Sequence, residues 1–563
     1  MGDQPLRIVI VGGVAGGASA AARARRMNER AEIVMFEKDR HVSFANCGLP
    51  YYLGGEITDR EKLLVAKPEL FDKRFNIDVR TRQEVTGIDR PRKMITVVNH
   101  RDGATYEMPY DKLILAPGAS PIIPPIGGVD AANVFTLRNV EDVDRVKSYL
   151  DVTKPKRAVV VGAGFIGLEM VEQLHGLGIE TRLVELMDQV LPPLDSEMAH
   201  LLQGELEAHE IDLHLGDGIK EIRKVDGLAD SVVLNSGTVL GTELVILGVG
   251  VRPNVKLAVD AGLAIGKSGG ILTNEFCQTE DADIYAVGDA AEYVYGPTGK
   301  MMRVPLAGPA NRAGRTAGEH AATGKAEALT AVYGTAIARV FGLAAGMTGL
   351  SRKFAERLGR EAKSVTILAN HHVGYYPGAM QMVLKLIYEP GTGKVLGAQA
   401  VGAEGIDKRI DVIATAMRFG ATVRDLTGLD LTYAPPFGAA KDPVHMAGFT
   451  ACNELDGLIK TLDCDSDLSG LQALDVRSAG EVAKMSFPNV DEAVHIPIDE
   501  LRHRLDELDP ARATVVTCAS GLRSYVVCRL LMQHGFADVS NLTGGVFMRT
   551  HALAGRSLSC EGA

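Results

Sequence analysis

Two cysteines in this sequence have neighbours that suit sulfur chemistry, and Cys47 is the first. It lies in the run Ser43-Phe44-Ala45-Asn46-Cys47-Gly48-Leu49-Pro50-Tyr51, just before a predicted short helix whose first turn suits Pro50. A helix N-terminus favours a thiolate over a thiol, because it carries partial positive charge and free N–H groups. The next cysteine is Cys277, so no local pair can form a disulfide, and a reactive Cys47 would exchange with sulfur from outside. The alternative interpretation is a buried, inert cysteine, which is the commoner role of a cysteine taken alone.

The second cysteine opens the loop Cys518-Ala519-Ser520-Gly521-Leu522-Arg523-Ser524, between a predicted strand and a predicted helix. Such a loop curls its backbone N–H groups around the sulfur and favours a bound anion. Four residues separate Cys518 from Arg523, one fewer than in the tyrosine-phosphatase loop, and the smaller ring suits a persulfide sulfur better than a phosphate. With Asp475-Val476-Arg477 upstream and Gly544-Gly545-Val546-Phe547 downstream, this region resembles a single rhodanese domain, which implies sulfane sulfur carried on Cys518.

Two glycine-rich turns predict dinucleotide sites. The first follows an apolar run, Leu6 to Val11, and reads Gly12-Gly13-Val14-Ala15-Gly16-Gly17, with Val14 in place of the middle glycine. A helix and a second apolar run follow it, and the run ends in Glu37. Such a turn lets a pyrophosphate approach the helix N-terminus, while the acid binds ribose hydroxyls.

The second turn, Gly162-Ala163-Gly164-Phe165-Ile166-Gly167, has every element of the pattern, including the acid Glu185 after the next strand. An acid at that position repels a 2′-phosphate, so we expect NADH rather than NADPH. Two dinucleotide sites in one chain imply a relay of electrons between two cofactors.

Three further segments are each a predicted strand that runs into a turn. One precedes the second glycine turn in the sequence, and two follow it. They are Lys112 to Ala119, Leu244 to Asn254, and Asp283 to Ala290. Together they resemble the flavoprotein disulfide reductases with two dinucleotide domains, which implies FAD and NADH as cofactors. The Cys47 run looks like that of the coenzyme A disulfide reductases, which use a single active-site cysteine, as the related NADH oxidases and peroxidases also do. The resemblance covers roughly residues 5 to 450.

The resemblance implies roles for particular residues. Those assigned to FAD are Gly12, Val14, Ala15, Gly16, Glu37, Lys38, Asn46, Val85, Ala116, Gly118, Asp289 and Ala307. Those assigned to NADH are Gly162, Gly164, Phe165, Ile166, Gly167, Glu185 and Gly250. A basic funnel for the phosphates of coenzyme A is expected from Ser19, Arg23, Arg26, Ser43, Asn46, Lys73 and Arg74, although charged residues on a helix are often only a solvated face.

Two tyrosines are expected to face the substrate thiol across a homodimer, with Tyr433 as a proton donor. Tyr433 lies in a segment that matches the family, and its companion is Tyr375, with Tyr376 one position away as the alternative. Both could equally be ordinary half-buried tyrosines. The catalytic residues predicted from the sequence are therefore Cys47, Cys518, Tyr433, Tyr375 and Arg523.

The predicted fold class is α/β: two Rossmann-like dinucleotide-binding domains with the second inserted in the first, an α+β dimerisation domain, and a C-terminal α/β rhodanese domain. The expected borders are 1–150 and 256–330 for the FAD domain, 151–255 for the NADH domain, 331–450 for dimerisation, 451–465 for a polar linker and 466–563 for the rhodanese domain.

Composition narrows the class of protein. A net charge of −11 argues against nonspecific nucleic-acid binding. Seven irregularly spaced cysteines indicate neither a disulfide framework nor a metal site, which favours a reducing cytoplasm. No apolar stretch is long enough to predict a membrane span.

These patterns together predict an enzyme of sulfur metabolism. In the hypothesis, NADH reduces FAD, and electrons reach a sulfur held on Cys47, while Cys518 transfers sulfane sulfur in a direction that the sequence leaves open. The expected substrates are coenzyme A persulfide, polysulfide and coenzyme A disulfide, in that order. The alternatives are an NADH oxidase or peroxidase with a Cys47 sulfenate, and a rhodanese that only senses or carries sulfur.

Overall fold

The computed structural model describes residues 5–554. Its α-helices are α1 (Ala15–Met27), α2 (Leu49–Leu53), α3 (Pro68–Phe75), α4 (Val140–Thr153), α5 (Phe165–Gly176), α6 (Ser196–Ala208), α7 (Lys256–Asp260), α8 (Ala307–Thr323), α9 (Arg352–Arg357), α10 (Ile406–Arg418), α11 (Val423–Thr427), α12 (Pro443–Leu455), α13 (Ala479–Lys484), α14 (Leu522–Gln533) and α15 (Gly545–Ala554). Within residues 5–554, none of these helices is long and apolar enough to cross a membrane.

The strands are short, as is usual for a mixed α/β chain. They are β1 (Arg7–Val11), β2 (Glu32–Glu37), β3 (Asp78–Thr81), β4 (Gln83–Asp89), β5 (Met94–Asn99), β6 (Thr105–Pro109), β7 (Lys112–Leu115), β8 (Ala119–Pro121), β9 (Val134–Phe135), β10 (Arg157–Val161), β11 (Glu180–Glu185), β12 (Asp212–Leu215), β13 (Ile219–Val225), β14 (Leu228–Leu234), β15 (Val239–Gly241), β16 (Leu244–Leu247), β17 (Val251–Pro253), β18 (Ile284–Ala286), β19 (Tyr293–Tyr295), β20 (Lys300–Met302), β21 (Ala336–Val340), β22 (Leu343–Gly349), β23 (Lys363–Asn370), β24 (Gln381–Tyr388), β25 (Val395–Gly402), β26 (Lys460–Leu462), β27 (Gln472–Asp475), β28 (Ala493–His495), β29 (Thr514–Thr517) and β30 (Val539–Leu542).

The chain forms two compact units. The first holds the residues up to Val184 together with Gly218–Gly334, and the second holds Glu185–Asp217 and the chain from Thr335 onward.

The first unit is built on a parallel sheet in the order β18-β7-β1-β2-β3. Its central strand β1 is apolar and buried, with Ile8, Val9 and Ile10 fully inaccessible, as expected for a parallel sheet covered on both faces. The chain leaves this sheet after β7 and returns with β18, which pairs directly with β7. The intervening residues supply another parallel sheet, so the predicted insertion of one nucleotide domain in the other is confirmed.

The inserted sheet contributes β11, β10, β16 and β9 in that order, with β11, β10 and β16 in parallel register. Strand β9 pairs with β16 and precedes the expected border at residue 151, and helix α4 crosses that border. The chain therefore enters the inserted sheet before the expected border. The sequence did not predict this, because a two-residue strand carries almost no sequence signal.

Helices α1 and α8 pack closely beside the first sheet. A Cβ at Gly314 would lie 2.2 Å from the carbonyl oxygen of Gly16, and one at Gly318 would lie 2.3 Å from that of Ala20. Only glycine lets the two backbones approach this far, so the small residues of both helices fix the position of the first glycine turn.

The second unit contains two sheets. The antiparallel sheet has the order β21-β22-β25-β24-β23, with α10 and α12 packed on it. The parallel sheet β26-β30-β29-β27-β28 forms the C-terminal domain, and its core includes Leu474, Val516 and Leu531.

The segment expected to be a polar linker, residues 451–465, is structured in this unit. Helix α12 ends at Leu455, and β26 is an edge strand of the C-terminal sheet. Arg352 bonds Asp463 and Asp465 at 2.6 and 2.9 Å, and Ser364 Oγ lies 3.1 Å from Asp463. Ion pairs with Arg352 thus hold the acidic residues of segment 451–465 beside the antiparallel sheet. Composition alone could not reveal these pairs.

Residues 185–217, expected in the NADH domain, belong to the second unit by their contacts. Lys385, on β24, is 1% exposed and pairs with Asp195 at 2.8 Å and with Glu197. The same segment's helix α6 packs against α15. A buried ion triad and a helix contact therefore hold this segment to the second unit.

Candidate functional site

Two glycines of the first turn have no room for a side chain. Gly12 has φ +97°, and a Cβ there would lie 2.1 Å from the carbonyl oxygen of Ala116. At Gly17 a Cβ would meet the oxygen of Gly12 at 1.8 Å. Val14 precedes α1 without a side-chain cap, so the N–H groups of the first turn are not used by a capping side chain. This cradle fits the pyrophosphate of a dinucleotide.

Glu37 ends β2 beside that turn. Its carboxylate accepts hydrogen bonds from the N–H groups of Gly13 at 2.9 Å and Asp39 at 3.0 Å. Burial raises the pKa of Glu37, although the two N–H groups act against this rise. A buried carboxylate at this strand end fits the ribose hydroxyls of the first nucleotide.

Other residues assigned to FAD lie in the same unit. Asp289 lies in a 3₁₀ turn, Gly288–Ala290, two residues after β18. Burial raises the pKa of its carboxyl, while Arg138 and Arg303 partly offset this effect. Further members are Ala15 and Gly16, the first two residues of α1; Lys38, exposed after β2; Val85, buried in β4; Ala116 and Gly118, in the turn after β7; and Ala307, the first residue of α8.

The second glycine turn has the same construction and one open position. Gly162 has φ +101°, and a Cβ there would lie 2.4 Å from the oxygen of Gly248. A Cβ at Gly167 would lie 1.8 Å from the oxygen of Gly162, whereas one at Gly164 would meet no heavy atom within 4 Å. Gly164 precedes Phe165 and Ile166, which begin α5. The space at Gly164 is where a pyrophosphate can approach the helix N-terminus.

Two further residues assigned to NADH follow this turn in the sequence. Gly250 has φ +112° and follows β16. Glu185 is the last residue of β11 and accepts a hydrogen bond from Met187 N at 2.9 Å.

Cys47 is exposed and lies in a 3₁₀ turn, Asn46–Gly48, immediately before α2. The short helix with Pro50 in its first turn is confirmed. Helix α2 contacts α5, and Tyr51 Oη lies 3.3 Å from Glu169 Oε1. The Cys47 turn is thus attached to the helix that begins at the second glycine turn.

The sequence predicted that a helix N-terminus would stabilise the Cys47 thiolate. This prediction is wrong, because the protein groups around Cys47 together raise its pKa. Partial burial raises the pKa of Cys47, and the carboxylates of Glu169 and Asp289 raise it further. Helix α2 has only five residues, so its dipole is too small to reverse these effects.

The residues expected to form a basic funnel are mostly bonded to other protein groups. Arg23 Nε donates to Glu319 at 2.8 Å, and Ser19 Oγ donates to Asn311 Oδ1 at 2.6 Å. Arg26 Nε donates to the carbonyl of Ala22 at 2.9 Å. Since Glu319 balances the charge of Arg23, the α1 face is less basic than the sequence suggested.

The other expected funnel residues lie on different elements. Ser43 has φ +46° and precedes the Cys47 turn. The Asn46 side chain lies against Arg138. Lys73 and Arg74 are exposed in the last turn of α3.

In the second unit, the two predicted tyrosines meet. Tyr375 Oη and Tyr433 Oη are 3.0 Å apart, and the side chains are 75% and 45% exposed. This hydrogen bond raises the pKa of Tyr375. Tyr376 instead packs edge-on against His372, so the geometry makes Tyr375 the companion of Tyr433.

A cavity of about 410 Å³ adjoins this pair, lined by Lys408, Thr432, Tyr433, Ala434 and Phe437. Lys408 was not predicted from the sequence, because it lies on α10, well before the Tyr433 segment.

Cys518 is completely buried at the end of β29, within the loop that precedes α14. Gly521 N lies 3.1 Å and Ser524 Oγ 3.4 Å from its Sγ. Burial raises the pKa of this thiol, but the hydrogen bonds from Ser524, Ser520 and Gly521 outweigh burial and lower the pKa. The loop therefore does curl its donors around the sulfur, which favours the thiolate.

The loop rests on a second backbone segment. A Cβ at Gly545 would lie 2.4 Å from the carbonyl oxygen of Cys518, and Val546 N donates to that oxygen at 2.9 Å. Gly521 has φ +96° and approaches Gly544 N. Glycine is needed at these positions because any side chain would push the loop away.

Arg523, at the end of the loop, is bound by a residue that the sequence reasoning missed. Its Nη1 and Nη2 donate to Glu481 Oε2 and Oε1 at 2.8 and 2.5 Å. The Arg523 guanidinium, followed by hydrogen bonds from Ser478, holds the pKa of Glu481 at about 2. The sequence signal for Glu481 was the capping box Ser478-x-x-Glu481 at the start of α13, which gives no hint of Arg523.

The other described cysteines differ from these two. Burial raises the pKa of Cys277 to about 12 and raises those of Cys464 and Cys528 further. Cys452 is partly buried, and its pKa is also raised. Cys560 lies outside the described residues.

Comparison with family models agrees with this architecture. Residues 6–314 match the pyridine nucleotide-disulphide oxidoreductase model, residues 335–443 match the dimerisation domain of the same proteins, and residues 454–548 match the rhodanese-like domain. Proteins of this family use FAD and NAD(H).

Known proteins resemble the chain over most or nearly all of its length. The coenzyme A disulfide reductase of Staphylococcus haemolyticus is 35% identical over 79% of this chain and 99% of its own. The crystal structure of reduced CoADR-RHD from Bacillus anthracis is 45% identical with a TM-score of 0.94, covering 98% of this chain and 99% of that one. The NAD-dependent persulfide reductase from A. fulgidus is 38% identical with a TM-score of 0.90, covering 96% and 100%. The chain thus belongs to the pyridine nucleotide-disulphide oxidoreductase family and carries a C-terminal rhodanese-like domain.

Proposed function

We propose that this oxidoreductase uses NADH to reduce sulfur–sulfur bonds of coenzyme A persulfide or polysulfide through Cys47, and coenzyme A disulfide as a further substrate. The observation that carries the proposal is the pairing of chemistries in one chain. An exposed single cysteine, Cys47, belongs to the nucleotide-binding unit, and a cysteine with a lowered pKa, Cys518, lies in a sulfur-binding loop. The full-length likeness to a protein described as a persulfide reductase supports the same function.

In the proposed reaction, the Cys47 thiolate attacks the sulfane sulfur of R–S–SH, so that a Cys47–S–SH bond forms and RS⁻ leaves. Two electrons and one proton then break this S–S bond, which releases H₂S and regenerates the Cys47 thiolate. Bound FAD supplies the path for these two electrons from NADH. The chain's own residues bind the nucleotides at the two glycine turns, expose the Cys47 sulfur and deliver the proton.

The proton donor in this proposal is Tyr433 of a second subunit. Tyr375 and Tyr433 share one hydrogen bond, and both side chains are exposed. This arrangement suits a pair of hydroxyl groups that contacts the substrate bound in the partner subunit. A match to the dimerisation-domain model over residues 335–443 supports a homodimer.

Coenzyme A would bind through the polar residues near the first glycine turn, Ser19, Arg23, Arg26, Ser43 and Asn46, with Lys73 and Arg74. Arg23 and Ser19 would exchange their present partners, Glu319 and Asn311, for the phosphates and amides of the ligand. Cys518 would accept or donate sulfane sulfur as a persulfide. The hydrogen-bond donors of its loop would stabilise the thiolate, which is consumed when sulfur is accepted and restored when sulfur is donated.

The test is anaerobic NADH oxidation with coenzyme A persulfide, polysulfide and coenzyme A disulfide as separate substrates, with sulfide measured in parallel. The expected result is sulfide release with the highest kcat/KM for persulfide or polysulfide, abolished in Cys47→Ser. Cys452→Ser is the matched control, because Cys452 is a partly buried cysteine that has no assigned role.

Other results would point to other functions. Preference for the disulfide would make this a coenzyme A redox enzyme. Rapid NADH oxidation with oxygen or peroxide, and a sulfenate trapped on Cys47, would indicate an oxidase or peroxidase. Full activity in Cys47→Ser would refute the proposal.

A further inference from the structure

The mouth of the Cys518 loop carries a cation that is already balanced. Arg523 is the charged residue of the loop itself, and both of its terminal nitrogens bond the carboxylate of Glu481. A planar guanidinium bound in this bidentate way has its two best donors occupied.

Glu481 is itself firmly positioned. Its Oε2 accepts hydrogen bonds from Ser478 N at 3.0 Å and Ser478 Oγ at 2.9 Å, in addition to the bond from Arg523. Ser478 and Glu481 form the capping box of α13, so moving the carboxylate would also uncap this helix. With a pKa held at about 2, Glu481 stays ionised across the physiological pH range.

Two exposed apolar side chains flank Arg523 on its own helix, while the exposed Lys484 ends the helix of Glu481. Leu522 is 60% exposed and Val526 is 45% exposed, one helical turn apart on α14. The surface around Arg523 therefore combines a neutralised ion pair with two apolar side chains, which suits a donor with little charge beside its reacting sulfur.

We propose that Glu481 determines which sulfur donor the Cys518 loop accepts, by neutralising Arg523 and so disfavouring dianionic donors such as thiosulfate against organic persulfides. The proposal rests on the proposed sulfur transfer at Cys518 and names its substrate class. Glu481 acts through Arg523 and is a positioning residue in this role.

Both donor classes react by the same bond changes. With thiosulfate, the Cys518 thiolate attacks the outer sulfur, the S–S bond breaks, and sulfite leaves with the electron pair. With an organic persulfide R–S–SH, the thiolate attacks the outer sulfur and RS⁻ leaves. In each case Cys518 ends as a persulfide, which cyanide converts to thiocyanate and free thiolate. The donors thus differ mainly in the charge beside the reacting sulfur, because thiosulfate carries two negative charges there and a persulfide group carries at most one.

The test is sulfur transfer to cyanide by the full-length protein, with thiosulfate and with 2-hydroxyethyl persulfide, whose organic group is uncharged, as donors. Glu481→Gln removes one negative charge near Arg523 and keeps a side chain that can cap α13. We expect kcat/KM for thiosulfate to rise about fivefold or more, mainly through a lower KM, because one charge at about 5 Å in a water-like medium has an effect of this size. We expect the value for the persulfide to change less than about twofold.

The matched control is Glu500→Gln, which removes a surface carboxylate paired with Arg504 in the same domain and should change neither donor's kinetics. An unchanged thiosulfate kcat/KM in Glu481→Gln, with persulfide transfer retained, would overturn the proposal.

A measurement on the unsubstituted protein keeps the proposal testable if Glu481→Gln does not fold. A neutral entrance predicts that thiosulfate kcat/KM changes less than about twofold between about 20 and 200 mM salt. A steep fall with salt, or thiosulfate exceeding the persulfide as donor, would refute the assignment. The cyanide assay uses no NADH, and a Cys47→Ser background removes the reductase activity. Failure of the proposal on Glu481 is therefore distinct from failure of the proposed NADH-dependent reaction.

Discussion

The contact between strand β23 and the segment behind the Cys518 loop gives a sharp prediction. Thr543 Oγ1 accepts a hydrogen bond from Thr366 N at 2.8 Å and donates to Thr366 O at 3.2 Å. Thr366 lies on the edge strand of the antiparallel sheet, so Thr543 satisfies both of its outward backbone groups. Thr543 is followed directly by Gly544 and Gly545, on which the Cys518 loop rests.

Thr543→Val removes both hydrogen bonds and retains the side chain's volume. It leaves a buried N–H and a buried C=O of Thr366 without the hydroxyl, and each such loss costs about 1–3 kcal/mol. We therefore expect about 3 kcal/mol of local destabilisation, which corresponds to a roughly hundredfold loss of protection of the Thr366 amide.

The assay is native-state hydrogen exchange of the peptide that contains Thr366, together with the pH dependence of Cys518 alkylation. The alkylation midpoint should rise in Thr543→Val, because the loop donors around the sulfur lose their support. Thr543→Ser keeps the hydroxyl and should restore both readouts.

Thr366→Val is the matched control, since both threonines are 4% exposed and the bonds at Thr366 come from its backbone. Equal loss of protection in the two valine variants would refute the reasoning, as would an unchanged alkylation midpoint in Thr543→Val.

Three further predictions concern Cys518, Lys385 and Gly164. Cys518 should be alkylated with a midpoint below that of a free thiol, because its pKa is lowered and the thiolate persists to lower pH; Ser524→Ala should raise the midpoint, and an unchanged value would contradict the assignment of this donor. Lys385→Met should cost about 3–5 kcal/mol in urea unfolding, because two buried carboxylates lose their cation, and a loss below about 1 kcal/mol would contradict this account. Gly164→Ala should raise the KM for NADH about tenfold or more with little change in Tm, because its Cβ meets no protein atom but occupies the pyrophosphate's space; an unchanged KM would refute this placement.

Local patterns in the sequence predicted much of the architecture. The strand, glycine turn and helix around Gly12 and Gly162 are defined by short-range sterics, since a residue with positive φ and no room for Cβ must be glycine. The Cys518 loop is likewise contiguous, so its donors could be predicted from a few neighbouring residues. The inserted arrangement followed from the order of these local units along the chain.

The tertiary structure alone decided which groups neutralise or support those local units. Glu481 reaches Arg523 across 42 residues and Thr543 reaches Thr366 across 177, and no local pattern encodes such pairs. The rise in the pKa of Cys47 likewise depends on Glu169 and Asp289, which only folding brings near the thiol. The acidic segment at 463–465 reads as a linker by composition, yet Arg352 holds it. The physical reason is that backbone conformation depends on neighbours in sequence, whereas charge balance and burial depend on neighbours in space.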